Sequence, residues 1–420
     1  MVAPQLEMFG YDSKAEVVRD SIGYWNPNKT QFWIDEEIPL VIGKREGYVL
    51  TDIDGHSVFD VHLNGGTFNL GHRNPEVIAS LVNALNYVDV GNHHFPAPGR
   101  AALAKRLVEL TPGSSKVVFG SSGGEIVDLA IKSARFATGR RKVVSIQRAY
   151  HGHTGLSIAT GDERFSRLFH SDNPTDFVQV PFNDIDAMRD ALSGHDVAAV
   201  ILETVPATYG FPMPKPGYLA ATKQACEATG ALYIADEVQT GLGRTGNLWG
   251  IYAEGVEPDI IVTGKGLGGG VYPMSAAILN ERSAAWLDRD GFAHMSTFGG
   301  AELGCAVAST TLDITLRQST QENIQARIAQ FREGLHALQH DNPDTLIGIR
   351  QNGLVIGLEF SGPGAKPVMS ELYRRGVWAI FSTLDPQVLQ FKPGLLMTEE
   401  EATHILDILA GAVKAVTVGV

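Results

Sequence analysis

Cysteine is nearly absent: only Cys226 and Cys305 occur among 420 residues, and they lie far apart. That excludes a disulfide framework and the close Cys spacing of a zinc site, and it fits a reducing compartment. Also missing is any apolar run near the roughly 20 residues that a membrane-spanning helix needs. Met1 to Lys14 shows no basic segment followed by an apolar one, so the expectation is an unprocessed, cytoplasmic protein with no membrane partner. Basic charge is in deficit as well. A formal net charge of -13 argues against a general affinity for nucleic acid, which requires a basic face. With no repeat or low-complexity tract either, small-molecule chemistry is the class that remains.

What is present is length and rhythm. A chain of 420 residues exceeds what one hydrophobic core usually serves, which predicts a large domain and a smaller one. From about residue 115 to 265, short β-rich runs (KVVF, KVVSI, VAAVIL, ALYIA, DIIVT) alternate with helical stretches. This predicts an α/β fold, a mostly parallel sheet with helices on both faces. Ligands on such sheets sit beyond the carboxyl ends of the strands. The informative residues are therefore Gly120 to Glu125, Arg148 to Gly152, Glu203, Asp236 to Gln239, and Gly264 to Lys265.

A helix is predicted from about Gly217 to Thr229, with Leu219, Thr222, Ala225 and Cys226 facing inward and Gly230 ending it. Beyond residue 320, Ile324, Ile328, Phe331, Leu335 and Leu338 mark an amphipathic helix leading into strands LVIGLEF and VLQFK. Near the N-terminus, VLTDIDGHSVFDV reads as two strands around an Asp-Gly turn, expected to pair with that C-terminal sheet. A small α+β domain built from residues 1–60 and 316–420, flanking a large domain of residues 61–315, is the expectation.

The chemistry-bearing stretch is ALYIADEVQTGLGRTG followed by DIIVTGKGLGGG. An apolar strand ending in Asp236 and Glu237 leaves an acid near the sheet core, where it needs a cation or a hydrogen-bond donor. The next strand ends in Gly264-Lys265 among glycines, so the lysine can reach into a cleft and lose its proton there, as an imine-forming lysine must. The residues alone leave two readings open: an ion pair of Asp236 with Lys265 stapling two strands, or a reactive lysine beside an acid. GSSGGE places Ser121 to Gly124 at a strand-to-helix turn, suited either to a phosphate or to a plain tight turn. In RAYHGHTG, Tyr150 could lie flat on a planar ring or pack in the core, and His151 and His153 read as loop or packing histidines. Gly241 to Gly246 matches GxGxxG but precedes a poor helix start, and no Walker lysine follows GSSGG, so dinucleotide and ATP sites are disfavoured.

Together SSGGE, AYHG, ADEVQTGLGRTG, TGKGLGGG and STFGG, in this order and spacing, resemble the class III aminotransferases of pyridoxal-phosphate fold type I. The similarity runs from DIDGHSVFDV to the C-terminal strands. The resemblance implies a seven-stranded, mostly parallel central sheet and pyridoxal 5'-phosphate as cofactor. Lys265 would carry the cofactor as a Schiff base and shuttle the substrate proton, and Asp236 would pair with the pyridine nitrogen. Gln239 would bond the ring hydroxyl, and Val238 and Tyr150 would sandwich the ring. Ser122, Gly123 and Gly124 would hold the phosphate, assisted by Thr297 from a second subunit, and His151 and Glu203 would lie beside the cofactor. A homodimer with shared active sites follows from the same resemblance.

Departures from the family pattern bear on substrate. Val127 and Asp128 replace the usual Asn and Glu after SGGE, and Ala301 and Glu302 follow STFGG. Thr208 stands where many relatives have a glutamate, and Gln390 where they have an arginine. An amide cannot replace a guanidinium on a carboxylate, so the common grip on 2-oxoglutarate or an α-amino acid is not expected. Lys392, two residues on, either substitutes as a point charge or points to solvent. Tyr24, Trp25 and Phe68 or Phe95 are candidates to line an apolar substrate pocket, or else core. The implied activity is a ping-pong aminotransferase taking an amine or amino acid donor and a carbonyl acceptor. The alternative within the same chemistry is an amino-acid epimerase, racemase or aminomutase.

Overall fold

The computed structural model describes residues 4–418. Its centre is a seven-stranded sheet in the order Lys116–Gly120, Ser275–Leu279, Ile260–Thr263, Leu232–Asp236, Val197–Glu203, Lys142–Ile146, Phe177–Val180. All neighbours run parallel except Ser275–Leu279, which is antiparallel to both of its partners. Every residue of Val197–Glu203, Leu232–Asp236 and Ile260–Thr263 is buried. Continuous apolar runs are what strands covered on both faces require. In register, Glu203 pairs with Asp236 and Asp236 with Val262, so the two acids end adjacent strands side by side.

One face is covered by helix Gly123–Thr138, whose inner residues Ile126, Val127, Ala130 and Ala134 are buried against the sheet. Ser122 starts this helix by accepting the Glu125 N–H, and Gly139 ends it in the left-handed region at φ 67. The opposite face is covered in part by Tyr218–Thr229, which buries Leu219, Thr222 and Cys226, as its spacing predicted.

Residues from both chain ends share a third core. Tyr48, Leu50 and Val58 pack in one cluster with Ile324, Ile328, Phe331, Leu335 and Leu338 of helix Gln318–Asp341 and with Leu358, Leu389 and Phe391. The N-terminal hairpin, Val49–Asp52 and Ser57–Asp60, turns at Asp54-Gly55 and pairs with Ile42–Glu46 and with the short C-terminal strand Val377–Trp378. It does not join the antiparallel sheet of Leu346–Asn352, Val355–Phe360, Asp385–Phe391 and Ile380–Ser382. The predicted pairing thus goes to one C-terminal strand in a separate sheet. Gly376, at φ 97, redirects the chain into that strand after helix Ala365–Arg375.

Candidate active site

The two adjacent acids at the end of Leu232–Asp236 turn opposite ways. Glu237 is buried under four donors: the hydroxyls of Thr204 and Thr240 and the N–H groups of Gly250 and Ile251. It ties the strand end to the following turn, and its burial raises its pKa. Asp236 instead accepts from His151 Nδ1 at 2.7 Å and from the Val238 N–H at 3.1 Å. The His151 side chain is fully buried, and its Nε2 meets no partner among the described residues. His151 is therefore neither a loosely placed loop residue nor plain packing: it orients the Asp236 carboxylate.

Glu203, beside Asp236 across the sheet, grips two backbone amides: Tyr150 N–H at 3.1 Å and Ala207 N–H at 3.0 Å. Burial pushes its pKa up to about 7, with His151 opposing and Asp236 adding to the rise. The grip fixes the loop that carries Tyr150 and His151. Lys265 follows Ile260–Thr263 at φ 41, a strained left-handed conformation of the kind that functional sites retain. Its amine forms no ion pair with Asp236 among the described residues, so the strand-stapling reading does not hold. Burial lowers the Lys265 pKa, while the charges of Asp236 and Glu203 pull it upward. Among the described residues the amine is thus free of a salt bridge, while burial disfavours its charged form.

These groups share one cavity, lined by Gly123, Gly124, Tyr150, His151, Gly152, Glu203, Asp236, Val238, Gln239 and Lys265. At its Gly123 end the first turn of helix Gly123–Thr138 offers N–H groups. The Glu125 amide is taken by Ser122 Oγ and that of Ile126 by Ser122 O, leaving the Gly123 and Gly124 amides for an anion. Gly152 sits at φ 116, where an added Cβ would lie 2.6 Å from Gly124 Cα. Only glycine lets the two loops meet there. Asp128, one of the unusual residues, accepts from Thr154 Oγ1 at 3.0 Å and Ser157 N–H at 2.6 Å, clamping the loop from behind.

The donor set fits pyridoxal phosphate on an observation independent of resemblance. Gln239 Oε1 is buried without a hydrogen-bond partner among the described residues, 3.4 Å from where a Cβ on Gly65 would stand. An orphaned buried acceptor is costly unless a ligand donates to it, and a ring hydroxyl would. Val238 and Tyr150, both lining the cavity, can lie on either side of a ring.

Other predicted residues lie elsewhere. Thr297 is exposed and does not line this chain's cavity. Tyr24 and Trp25 are 90% and 69% exposed, in the π-helical turn Ser21–Trp25, so neither is core. Phe95 is exposed, and Phe68 packs on His72 with ring centres 4.0 Å apart. Gln390 and Lys392 are both buried, so Lys392 does not point to solvent.

The sequence reading missed Gly65, whose added Cβ would lie 3.0 Å from Lys265 Cε, and His62, whose Nδ1 is buried without a partner. Glycine and histidine outside any motif gave no signal. GLGRTG is a turn with Arg244 fully buried at its centre, followed by the short 3-10 segment Gly250–Glu254 rather than a phosphate-binding helix.

Residues 34–413 match the sequence model of the family described as aminotransferase class-III. An uncharacterized aminotransferase of Archaeoglobus fulgidus is 45% identical over 407 residues, 96% of this chain and 95% of the relative. The ornithine aminotransferase of Toxoplasma gondii superposes with a TM-score of 0.85 at 26% identity, covering 97% of this chain and 100% of the other. A second structure of that enzyme, described as showing partial occupancy of PLP at the active site, gives 0.83 at 26% identity over 97% and 99% of the two chains. The acetylornithine aminotransferase of Elizabethkingia anophelis gives 0.79 at 26% identity over 92% and 99%.

Proposed function

Because this chain belongs to the class III aminotransferases, we propose that it moves an amino group from a small amine or amino acid to a carbonyl acceptor by a ping-pong mechanism with pyridoxal phosphate. Its architecture is that of fold type I, shared with the solved aminotransferases it resembles. The observation that carries the reading is the unpaired Lys265 amine in one cavity with the His151-oriented Asp236 and the orphaned Gln239 Oε1.

Pyridoxal phosphate, when bound, supplies an electron sink for the pair released at the substrate carbon. This chain's residues would do the rest. Asp236, fixed by His151, would hold the ring nitrogen protonated. Gln239 would accept from the ring hydroxyl. Ser122 and the Gly123 and Gly124 amides would take the phosphate, and Val238 and Tyr150 the two ring faces. The Lys265 amine, its proton affinity lowered by burial, would remove the proton from the substrate carbon and return it. Exposed Thr297 fits a role in a partner's phosphate site, within a homodimer.

The neighbours named for ornithine and acetylornithine make those two compounds the first donors to test, against pyruvate and 2-oxoglutarate. Given donor alone, the enzyme should release a keto product equal to its sites and then stop. Turnover that continues without acceptor would replace transamination by the isomerase alternative.

A further inference from the structure

Lys392 stands just past strand Asp385–Phe391 and is 1% exposed. Among the described residues its Nζ makes one hydrogen bond, 2.6 Å to Gln390 Oε1, and it lies 5.1 Å from the centre of the Phe211 ring. Gln390 is committed on its other side, where Nε2 donates to Ala207 O at 3.2 Å. The glutamine is therefore a brace for the lysine rather than a free ligand group.

Among the described residues no acid forms an ion pair with Lys392. The carboxylate whose charge reaches it, Asp60, accepts from His72 Nε2 at 2.9 Å, His62 N–H at 3.0 Å and Leu63 N–H at 2.7 Å. The other charged groups facing it, Arg244 and Lys265, are cations. His62, with Nδ1 buried and unpartnered, feels both Lys392 and Lys265. The strands beside Gln390 present Gly357 and Ile380, neither charged.

Lys392 is also near the reactive centre. Its N–H donates to Val61 O at 2.6 Å, and four residues on, Gly65 abuts the Lys265 side chain. Four peptide steps span at most roughly 14 Å, and the charge of Lys265 is felt at Lys392.

We propose that Lys392, braced by Gln390, anchors a carboxylate of the substrate and takes up one proton from solvent as that carboxylate binds. This rests on the aminotransferase reading. Burial, reinforced by Arg244 and Lys265, lowers the Lys392 pKa well below its ordinary value and so disfavours the charged amine in the free site. An arriving carboxylate supplies the missing counter-charge, the amine becomes ammonium, and its two N–H groups not bonded to Gln390 can face the anion.

The test is calorimetry on the holoenzyme with 4-methylpentanoate and glutarate, which lack an amine, in buffers of different ionisation enthalpy at mildly alkaline pH. The expected result is about one proton taken up per carboxylate bound, tighter binding as pH falls, and in Lys392→Met about tenfold weaker binding without uptake. Lys392→Arg, permanently charged, should keep the affinity and lose the uptake, which separates the anchor from a folding defect. In kinetics, Lys392→Met should raise KM for L-leucine and leave isopentylamine, the same donor without its carboxylate, unchanged. No uptake with either probe, or uptake persisting in Lys392→Arg, would overturn the anchor. Proton-coupled binding without any amino transfer would overturn the aminotransferase reading alone.

Discussion

Two lysines follow strand ends in two different sheets, and their surroundings differ in kind. Lys265, after Ile260–Thr263, lies near Asp236 and Glu203, which offset part of what burial costs its charge. Lys392, after Asp385–Phe391, is more deeply buried and faces Arg244 and Lys265, with the neighbouring acid Asp60 already engaged by His72. On the proposed function, the first environment would tune an amine that gains and loses a proton repeatedly. The second would disfavour a charge until a ligand brings the opposite one. Burial alone does not tell a reactive lysine from a recognition lysine; the placement of acids does.

The sharpest way to break this comparison is to remove each amine. Lys265→Ala should lower amino transfer at least about a thousandfold with every donor, measured with reconstituted protein. Lys392→Ala should keep turnover with donors that lack a carboxylate. Equal losses would erase the distinction.

Next in size is the pair of adjacent acids that end Leu232–Asp236. Asp236→Asn should cost about a hundredfold or more in turnover with little change in urea midpoint. Glu237→Gln, which disturbs four donors, should instead cost about 1–3 kcal/mol of stability and spare turnover in the folded fraction.

Smaller is the pH effect of Glu203. Its folded pKa, raised by burial to about 7 from an ordinary 4.5, means its contribution to stability is fully present below about 4.5 and is lost as pH rises through about 7. The stability difference between wild type and Glu203→Gln should therefore shrink across that window in urea melts. A difference that is flat with pH would return Glu203 to an ordinary exposed-type carboxylate. Smallest is Asp128→Ala, which frees Thr154 and the Ser157 N–H. It should lower stability by about 1 kcal/mol and weaken cofactor retention more than turnover at saturating cofactor.

The cofactor end was legible in the sequence because its residues sit where apolar strands stop, and a strand buried on both faces announces its end by the first glycine or acid. The partner of Asp236 was not legible. His151 lies 85 residues away, and AYHGH offers two histidines with nothing local to choose between them. Two strands of the central sheet gave weak signals: Phe177–Val180 is only 4 residues with two of them half-buried, and Ser275–Leu279 is alanine-rich and antiparallel. At the substrate end, spacing put Gln390 and Lys392 on one side of a strand. It could not show that side facing inward, because burial there is set by the hairpin and by Phe211, distant in sequence. Tyr24 and Trp25 show the converse: aromatic residues that composition assigns to a core or a pocket stand on the surface of this chain.

The most direct test of the central claim is borohydride reduction of the protein reconstituted with pyridoxal phosphate, followed by peptide mapping. Borohydride fixes the cofactor covalently to whichever amine holds its carbonyl. The label is predicted on Lys265 alone, with Lys392 unmodified in the same digest. A label on Lys392, or no label on Lys265 in protein that has bound the cofactor, would contradict the assignment of the two lysines.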